Sequence, residues 1–290
     1  MHVFIKIIKW ASVLIILLVA LIVGAGLLPP GPLPERHGQV SSELFVGPNS
    51  HQPLIVGLGG SEGGNPWAGS HWQAQREKFI AQGYAFLAIG YFATKESPAQ
   101  LDRIALEGVH RAVMAAIQDP HIDKQRIVLL GGSKGAELAL TLASYYKDYT
   151  GVIAIVPGSA VFPALTFSMN SSSFSYQDKE LNFVPVPWSA TPALLKRELR
   201  TAFAKMMENT EAMADAAIKV EDIQGPILFL SATRDEMWPS TEMSEMMMQR
   251  LKDKQFRYAT QHIAIEGGHT EPLKHFATIE AFLASQVRGE

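Results

Sequence analysis

The chain has 290 residues, of which 47% are hydrophobic and only 18% charged, and it carries a net charge of −3 at pH 7. That balance offers no basic field for nucleic acid and does not fit a disordered or collagen-like chain. Because the sequence contains no cysteine, disulfides, thiolate metal sites, iron–sulfur clusters and a cysteine nucleophile are excluded.

The first segment in chain order is strongly apolar. Residues Trp10–Leu28 carry no charge and follow Lys6 and Lys9. A helix of about 20 apolar residues spans a bilayer, and lysines mark its cytoplasmic side. We therefore expect residues 1–35 to form a membrane anchor and Pro-rich linker, with residues 36–290 forming a domain outside the cytoplasm. A cleaved signal peptide is the alternative, although its apolar region would be shorter.

The remaining chain alternates between short apolar runs, which predict strands, and apolar residues at three/four spacing, which predict helices. This alternation indicates crossover units and a mostly parallel α/β sheet with helices on both faces. The predicted elements are strand Leu54–Leu58, helix His71–Gln82, strand Tyr84–Ile89, helix Pro98–Gln118, strand Arg126–Leu130, helix Ala136–Tyr146, strand Gly151–Val156, strand Pro226–Leu230, helix Thr241–Leu251, strand Tyr258–Ile265 and helix Glu271–Ser285.

The segment 157–222 interrupts this alternation. Its first half is rich in Ser, Pro and aromatic residues, and Thr191–Lys219 has a helical, Ala-rich pattern. An insertion at this point usually lies over the strand ends, where sheets of this kind bind ligands. We predict that it forms a cap.

The sequence Gly-Gly-Ser133-Lys-Gly lies between a predicted strand and a predicted helix. This G-x-S-x-G pattern is typical of a sharp strand-to-helix turn that lifts the serine hydroxyl above the sheet. A second match contains Ser61, but Gly-Gly-Asn-Pro-Trp follows it and cannot begin a helix at once. We favour Ser133 as a nucleophile, with Ser61 as the alternative.

A nucleophilic serine needs a base and a carboxylate that orients the base, and beside such a turn they follow in the order Ser, acid, His. Asp235 follows the strand Pro226–Leu230 and His269 follows the strand Tyr258–Ile265. Both loops leave the sheet at the edge that holds the serine. Glu236 is the alternative acid. A turn aspartate and a surface histidine are the structural alternatives.

Backbone amides near the serine are candidates for an oxyanion hole. The N–H of Lys134 follows the nucleophile, and the N–H groups of Gly60 and Ser61 follow the first core strand. No H-E-x-x-H spacing, dinucleotide fingerprint or phosphate loop is present. We therefore expect neither a metal nor a cofactor.

Several motifs together resemble one family, the C-terminal catalytic domain of acyl-CoA thioesterases and bile acid-CoA:amino acid N-acyltransferases. The similarity covers roughly Pro53 to Phe282. The motifs are Gly-Gly-Ser133-Lys-Gly-Ala-Glu137, the upstream Gly-Gly-Ser61-Glu-Gly-Gly, Arg-Asp235-Glu-Met-Trp-Pro-Ser, Gly-Gly-His269-Thr-Glu and the cap stretch 171–181. The resemblance implies an α/β-hydrolase fold with Ser133 as nucleophile, His269 as base and Asp235 as orienting acid.

The chain departs from that family in two respects. Eukaryotic members carry an immunoglobulin-like domain where this chain has the apolar segment and linker, and members that conjugate amino acids use Cys where Ser133 stands. The serine favours water as the acceptor. The expected function is a membrane-anchored hydrolase of a small-molecule acyl ester or thioester. Acyl transfer, peptidase activity and a catalytically inactive binding module remain as alternatives.

Overall fold

The structure is a computed structural model that describes Trp10 and residues 29–288. Its strands are β1 (Ser41–Phe45), β2 (Gln52–Leu58), β3 (Ala85–Gly90), β4 (Ile104–Ala105), β5 (Ile122–Gly132), β6 (Gly151–Ile155), β7 (Phe174–Tyr176), β8 (Lys179–Glu180), β9 (Ile227–Ala232) and β10 (Thr260–Ile265). Its α-helices are α1 (Gln73–Ala81), α2 (Leu106–Ala116), α3 (Lys134–Tyr145), α4 (Thr191–Leu195), α5 (Leu199–Met207), α6 (Thr210–Asp215), α7 (Ser240–Asp253) and α8 (Phe276–Leu283). Short 3₁₀ turns occupy Pro66–Ala68, Ser70–Trp72, Trp188–Ala190, Val220–Asp222 and Glu271–Lys274, and a π-helical turn covers Ala284–Arg288.

Within residues 29–288, seven strands form one sheet in the order β1-β3-β2-β5-β6-β9-β10. β1 pairs antiparallel with β3, and the other neighbours pair in parallel. A small second sheet contains β4, β7 and β8. The prediction of a mostly parallel sheet is confirmed.

Helices cover both faces of the large sheet because its central strands are apolar on both sides. In β5, Ile127 and Leu129 belong to one core cluster, while Val128 and Leu130 belong to the other. Helices α2, α3 and α7 pack on the first cluster, and helices α1 and α8 pack on the second. Alternate residues of one strand thus stabilise two separate helical layers.

The predicted helix Pro98–Gln118 is wrong in its first third. Helix α2 begins only at Leu106, and Ile104–Ala105 forms the strand β4, which pairs with β7. The amides of Arg103 and Ile104 donate to Ser172 and Ser173 in the insertion. These long-range bonds keep the segment extended, although its apolar spacing is helical. Strand β1, whose burial pattern does not alternate, was not predicted.

The insertion 157–222 contains β7, β8 and the short helices α4, α5 and α6. It has an apolar core of its own, in which Phe162, Met206 and Met213 pack against Trp238 from the loop after β9. The insertion is therefore attached to the loop that carries Asp235.

The predicted membrane anchor lies outside the described residues, apart from Trp10. In the part of the chain that the structure describes, no helix is both long and apolar enough to cross a membrane.

The first turn of α3 lies directly against the end of β2. A Cβ on Gly135 would lie 2.3 Å from the Gly59 carbonyl oxygen and 2.4 Å from that of Leu58. A Cβ on Gly131 would lie 2.1 Å from the Gly135 oxygen. Both glycines of the G-x-S-x-G pattern are therefore needed. The atoms that a Cβ would meet belong to the backbone, and a backbone cannot move aside as a flexible side chain can.

We expect Gly135→Ala to destabilise the fold by about 3 kcal/mol or more, because the new methyl group would push α3 away from β2. Gly132→Ala is the matched control, since its Cβ would meet only Leu273 Cδ2 at 3.9 Å. The control should change the free energy of unfolding by less than about 1 kcal/mol. Urea denaturation followed by circular dichroism measures the free energy of unfolding of both variants. Equal losses of stability would show that the close approach of α3 to β2 is not the cause.

Candidate active site

Ser133 occupies the turn between β5 and α3. Its backbone has φ 54° and ψ −121°, a conformation that is strained for a residue with a side chain. The Ser133 amide donates to the Ile155 carbonyl at 2.9 Å, and the Ser133 carbonyl accepts from the amides of Ala136 and Glu137. The neighbouring strand β6 and the first turn of α3 therefore hold the strained residue from both sides.

Asp235 and His269 meet across the ends of β9 and β10. The His269 Nδ1 atom lies 2.8 Å from Asp235 Oδ1 and 2.9 Å from Oδ2. Asp235 is fully buried, and the side chain of His269 is 13% exposed. The carboxylate therefore accepts from Nδ1–H and leaves Nε2 as the ring nitrogen that is free to act as a base.

The Asp235 carboxylate has several further donors. The amides of Met237 and Trp238 donate to Oδ1, and the Ser240 hydroxyl donates to Oδ2 at 2.6 Å. Burial by itself raises the pKa of Asp235, but the hydrogen bonds and the attraction of His269 outweigh it, so the pKa lies below its ordinary value. The group is therefore ionised at neutral pH and keeps its orientation toward the imidazole.

Ser133 and His269 line one cleft of about 670 Å³. Within residues 29–288 the Ser133 hydroxyl has no hydrogen-bond partner, so the serine and the imidazole share the cleft without being bonded to each other. Such hydrogen bonds are often long before substrate binds. Among the described residues, no group of three or more His, Cys, Asp or Glu could hold a metal ion.

The three predicted oxyanion donors differ in their surroundings. The Gly60 amide donates to the carboxylate of Glu62 at 3.1 Å. No acceptor for the amides of Lys134 and Ser61 is found among residues 29–288. Lys134 is the first residue of α3, where an amide has no partner within its helix. Two of the predicted donors are thus free, and Gly60 becomes free only when Glu62 moves.

The alternatives considered for the site occupy other positions. Ser61 lies in a turn rather than between a strand and a helix. The Glu236 carboxylate accepts from the backbone amide of His269 at 2.9 Å, not from its ring. The His269 imidazole therefore contacts Asp235, and Glu236 holds the loop that carries it.

Comparisons with known proteins agree with the motifs. The family described as BAAT / Acyl-CoA thioester hydrolase C terminal matches residues 104–287, which is more than half of the chain. The chain belongs to this family. It is 28% identical over 221 residues to mouse acyl-coenzyme A thioesterase 6, covering 76% of this chain and 49% of that protein. It is also 28% identical over 220 residues to mouse acyl-coenzyme A amino acid N-acyltransferase 1, covering 75% and 48%.

The chain thus spans about half the length of the curated relatives it matches. Among solved structures, a puromycin-hydrolysing peptidase from Mycobacterium tuberculosis superposes with a TM-score of 0.60 at 17% sequence identity. The superposition covers 86% of this chain and 38% of the peptidase. This similarity shows that the chain has an α/β-hydrolase-like fold.

The cleft has an apolar wall that was not predicted from the sequence. Trp67 and Trp72 stack with ring centroids 4.9 Å apart, and both line the cleft together with Met237 and Leu273. The run from Asn65 to Ser70, which contains Trp67, lacks a helical or strand period, and Trp72 lies within the predicted helix His71–Gln82. The wall offers an apolar surface to an acyl or aromatic group.

A buried ion pair follows the serine directly. The Lys134 ammonium donates to the Glu137 carboxylate at 2.9 Å and to the Ser173 hydroxyl at 2.9 Å, and the Phe162 amide donates to Glu137 at 3.0 Å. Burial lowers the pKa of Lys134 and raises the pKa of Glu137, while their mutual attraction opposes both shifts. The pair ties the first turn of α3 to the insertion.

We expect Lys134→Met to cost about 3–5 kcal/mol of stability, because it leaves the Glu137 carboxylate buried without its cation. The double variant Lys134→Met/Glu137→Gln should recover part of that loss, since Gln still accepts from the Phe162 amide. Lys205 and Glu208 form an exposed pair with the same spacing, so Lys205→Met should cost less than about 1 kcal/mol. Urea unfolding tests all three variants, and a double variant less stable than Lys134→Met would refute this account.

Proposed function

We propose that the protein is a serine hydrolase that cleaves a carboxylic ester or an acyl thioester, with Ser133 as nucleophile, His269 as general base and Asp235 as orienting acid. The observation that carries this proposal is the bond from His269 Nδ1 to the buried Asp235 carboxylate, beside a serine on a strained strand-to-helix turn in the same cleft. The predicted chain order of the three residues supports the same assignment.

In this mechanism His269 Nε2 takes the Ser133 hydroxyl proton as Oγ attacks the acyl carbonyl carbon. The amide of Lys134 and that of Ser61 or Gly60 stabilise the negative oxygen of the tetrahedral intermediate. The imidazolium then protonates the leaving alcohol or thiol, and an acyl ester forms on Ser133. Water, deprotonated by His269, releases the carboxylic acid and regenerates the serine.

The family supports a thioester or ester over other acyl groups. Two of its relatives are named as an acyl-CoA thioesterase and an acyl-CoA amino acid N-acyltransferase. We favour water as the acceptor because a serine ester hydrolyses readily and the cleft is open to solvent. Acyl transfer to an amine remains the second candidate, favoured by the relatives with that name. The peptidase likeness concerns the fold alone.

We expect Ser133→Ala to lower kcat/KM on a short acyl ester by about 10⁴-fold, and Asp235→Asn by about 10³–10⁴-fold, because the asparagine favours the wrong imidazole tautomer.

A fluorophosphonate probe should label the wild-type protein at Ser133. Ser61→Ala keeps its backbone amide and should still label. Loss of labelling in Ser61→Ala but not in Ser133→Ala would overturn the choice of nucleophile.

We also propose that residues 1–35 anchor residues 36–290 to a membrane, with the hydrolase domain outside the cytoplasm. The uncharged run from Trp10 to Leu28 and the preceding Lys6 and Lys9 support this arrangement. The linker contacts the hydrolase domain soon after this run, because the Arg103 side chain donates hydrogen bonds to the Gly31 and Pro32 carbonyls.

We expect the full chain to stay in the membrane fraction after an alkaline carbonate wash, while a chain starting at Arg36 should remain in the supernatant. Protease added to spheroplasts should degrade the full chain without detergent if the domain is exported. A full chain released by carbonate would contradict the anchor, and protection until detergent is added would contradict the orientation.

A further inference from the structure

We propose that Glu62 makes the cleft selective for charge, so that it prefers substrates with a positively charged group beside the scissile carbonyl over neutral ones, and neutral ones over anionic ones. This inference rests on the proposed function, because it concerns the same cleft and the same serine. Glu62 is here a specificity-determining residue and not part of the proposed triad.

The carboxylate of Glu62 occupies the place where negative charge would develop. Its Oε1 atom accepts the Gly60 amide at 3.1 Å. A Cβ built on Gly60 would lie 2.8 Å from Glu62 Oε2 and 3.3 Å from Ser133 Cβ. The carboxylate and the serine therefore flank the same point, and a substrate oxygen directed to the Gly60 amide meets a negative charge.

The rest of the cleft does not neutralise this charge. Among residues 29–288 its lining includes a second carboxylate, Glu236, and the basic residues His71 and His269, but no lysine or arginine. Nearby basic side chains have acidic partners of their own. Lys274 pairs with Glu271 at 2.7 Å, and Arg200 pairs with Glu242. The electrostatic character of the cleft is therefore acidic, and Glu62 is the carboxylate that contacts a predicted oxyanion donor.

Two consequences follow for a bound ester. A cation on the substrate attracts the Glu62 carboxylate away from the Gly60 amide, so the amide becomes available to the oxyanion. An anionic group on the substrate is repelled by the Glu62 carboxylate, which then keeps its hydrogen bond from the Gly60 amide. Charges this close to the reaction act within one Debye length, about 8 Å at physiological salt, so the selectivity survives in physiological buffer.

The test is a series of butyryl thioesters that share one acyl group and differ in the charge of a small leaving thiol. The thiols are thiocholine (cationic), N-acetylcysteamine (neutral) and 3-mercaptopropionate (anionic). The full-length protein is compared with Glu62→Gln, which keeps an oxygen that can accept from the Gly60 amide but removes the charge. Glu266→Gln is the matched control, because it removes the same charge from an exposed residue outside the cleft.

The three thiols differ in acidity and therefore in leaving-group reactivity, which cancels when two protein variants are compared on the same thioester. We expect the ratio of wild-type to Glu62→Gln kcat/KM to fall in the order cationic, neutral, anionic, with roughly fivefold between the ends of the series. The ratio of wild-type to Glu266→Gln kcat/KM should stay within about twofold across the series. Added salt should slow the cationic substrate and speed the anionic one in the wild type.

Three results would count against the proposal in different ways. A ratio of wild-type to Glu62→Gln kcat/KM that is flat or reversed across the series, with Ser133-dependent turnover, would overturn the charge selectivity and leave the proposed function standing. The same trend in the ratio of wild-type to Glu266→Gln kcat/KM would overturn the specific role of Glu62. Failure to hydrolyse any thioester or simple ester would overturn the proposed function, and the selectivity with it.

Discussion

The strained backbone at Ser133 requires close support from the strands and the helix around it. A serine at φ 54° is unfavourable by itself, so its surroundings must hold it there. Strand β6 accepts its amide, and the glycines on either side let α3 approach the end of β2. Both contacts depend on the place of β5 in the sheet, between β2 and β6.

The insertion is joined to this centre by hydrogen bonds and apolar packing. The Lys134–Glu137 pair binds the start of α3 to Phe162 and Ser173. Trp238 packs against the insertion, and its indole N–H donates to the Val156 carbonyl while its amide donates to Asp235. The insertion therefore contacts both the helix that follows the serine and the loop that carries the acid.

The acyl acceptor, water or an amine, differs among the relatives of this chain. Relatives of this chain are named as an acyl-CoA thioesterase and as an acyl-CoA amino acid N-acyltransferase, and a fold alone does not distinguish transfer to water from transfer to an amine. The acceptor depends on the cleft, whose stacked tryptophans provide an apolar wall and whose Glu62 provides a negative charge. The tryptophans and Glu62 belong to the segment 59–72, and no residue of the insertion 157–222 lines the cleft among residues 29–288.

The sequence by itself determined the alternation of strands and helices, the strand-to-helix turn at Ser133 and the loops that carry Asp235 and His269. Each of these follows from a local pattern of apolar spacing or from residues adjacent in the chain. Only the tertiary structure decided that the His269 ring faces Asp235 rather than Glu236, that residues 98–105 are not helical, and that Glu62 occupies the Gly60 amide. These outcomes depend on contacts or side-chain positions that a one-dimensional pattern does not encode.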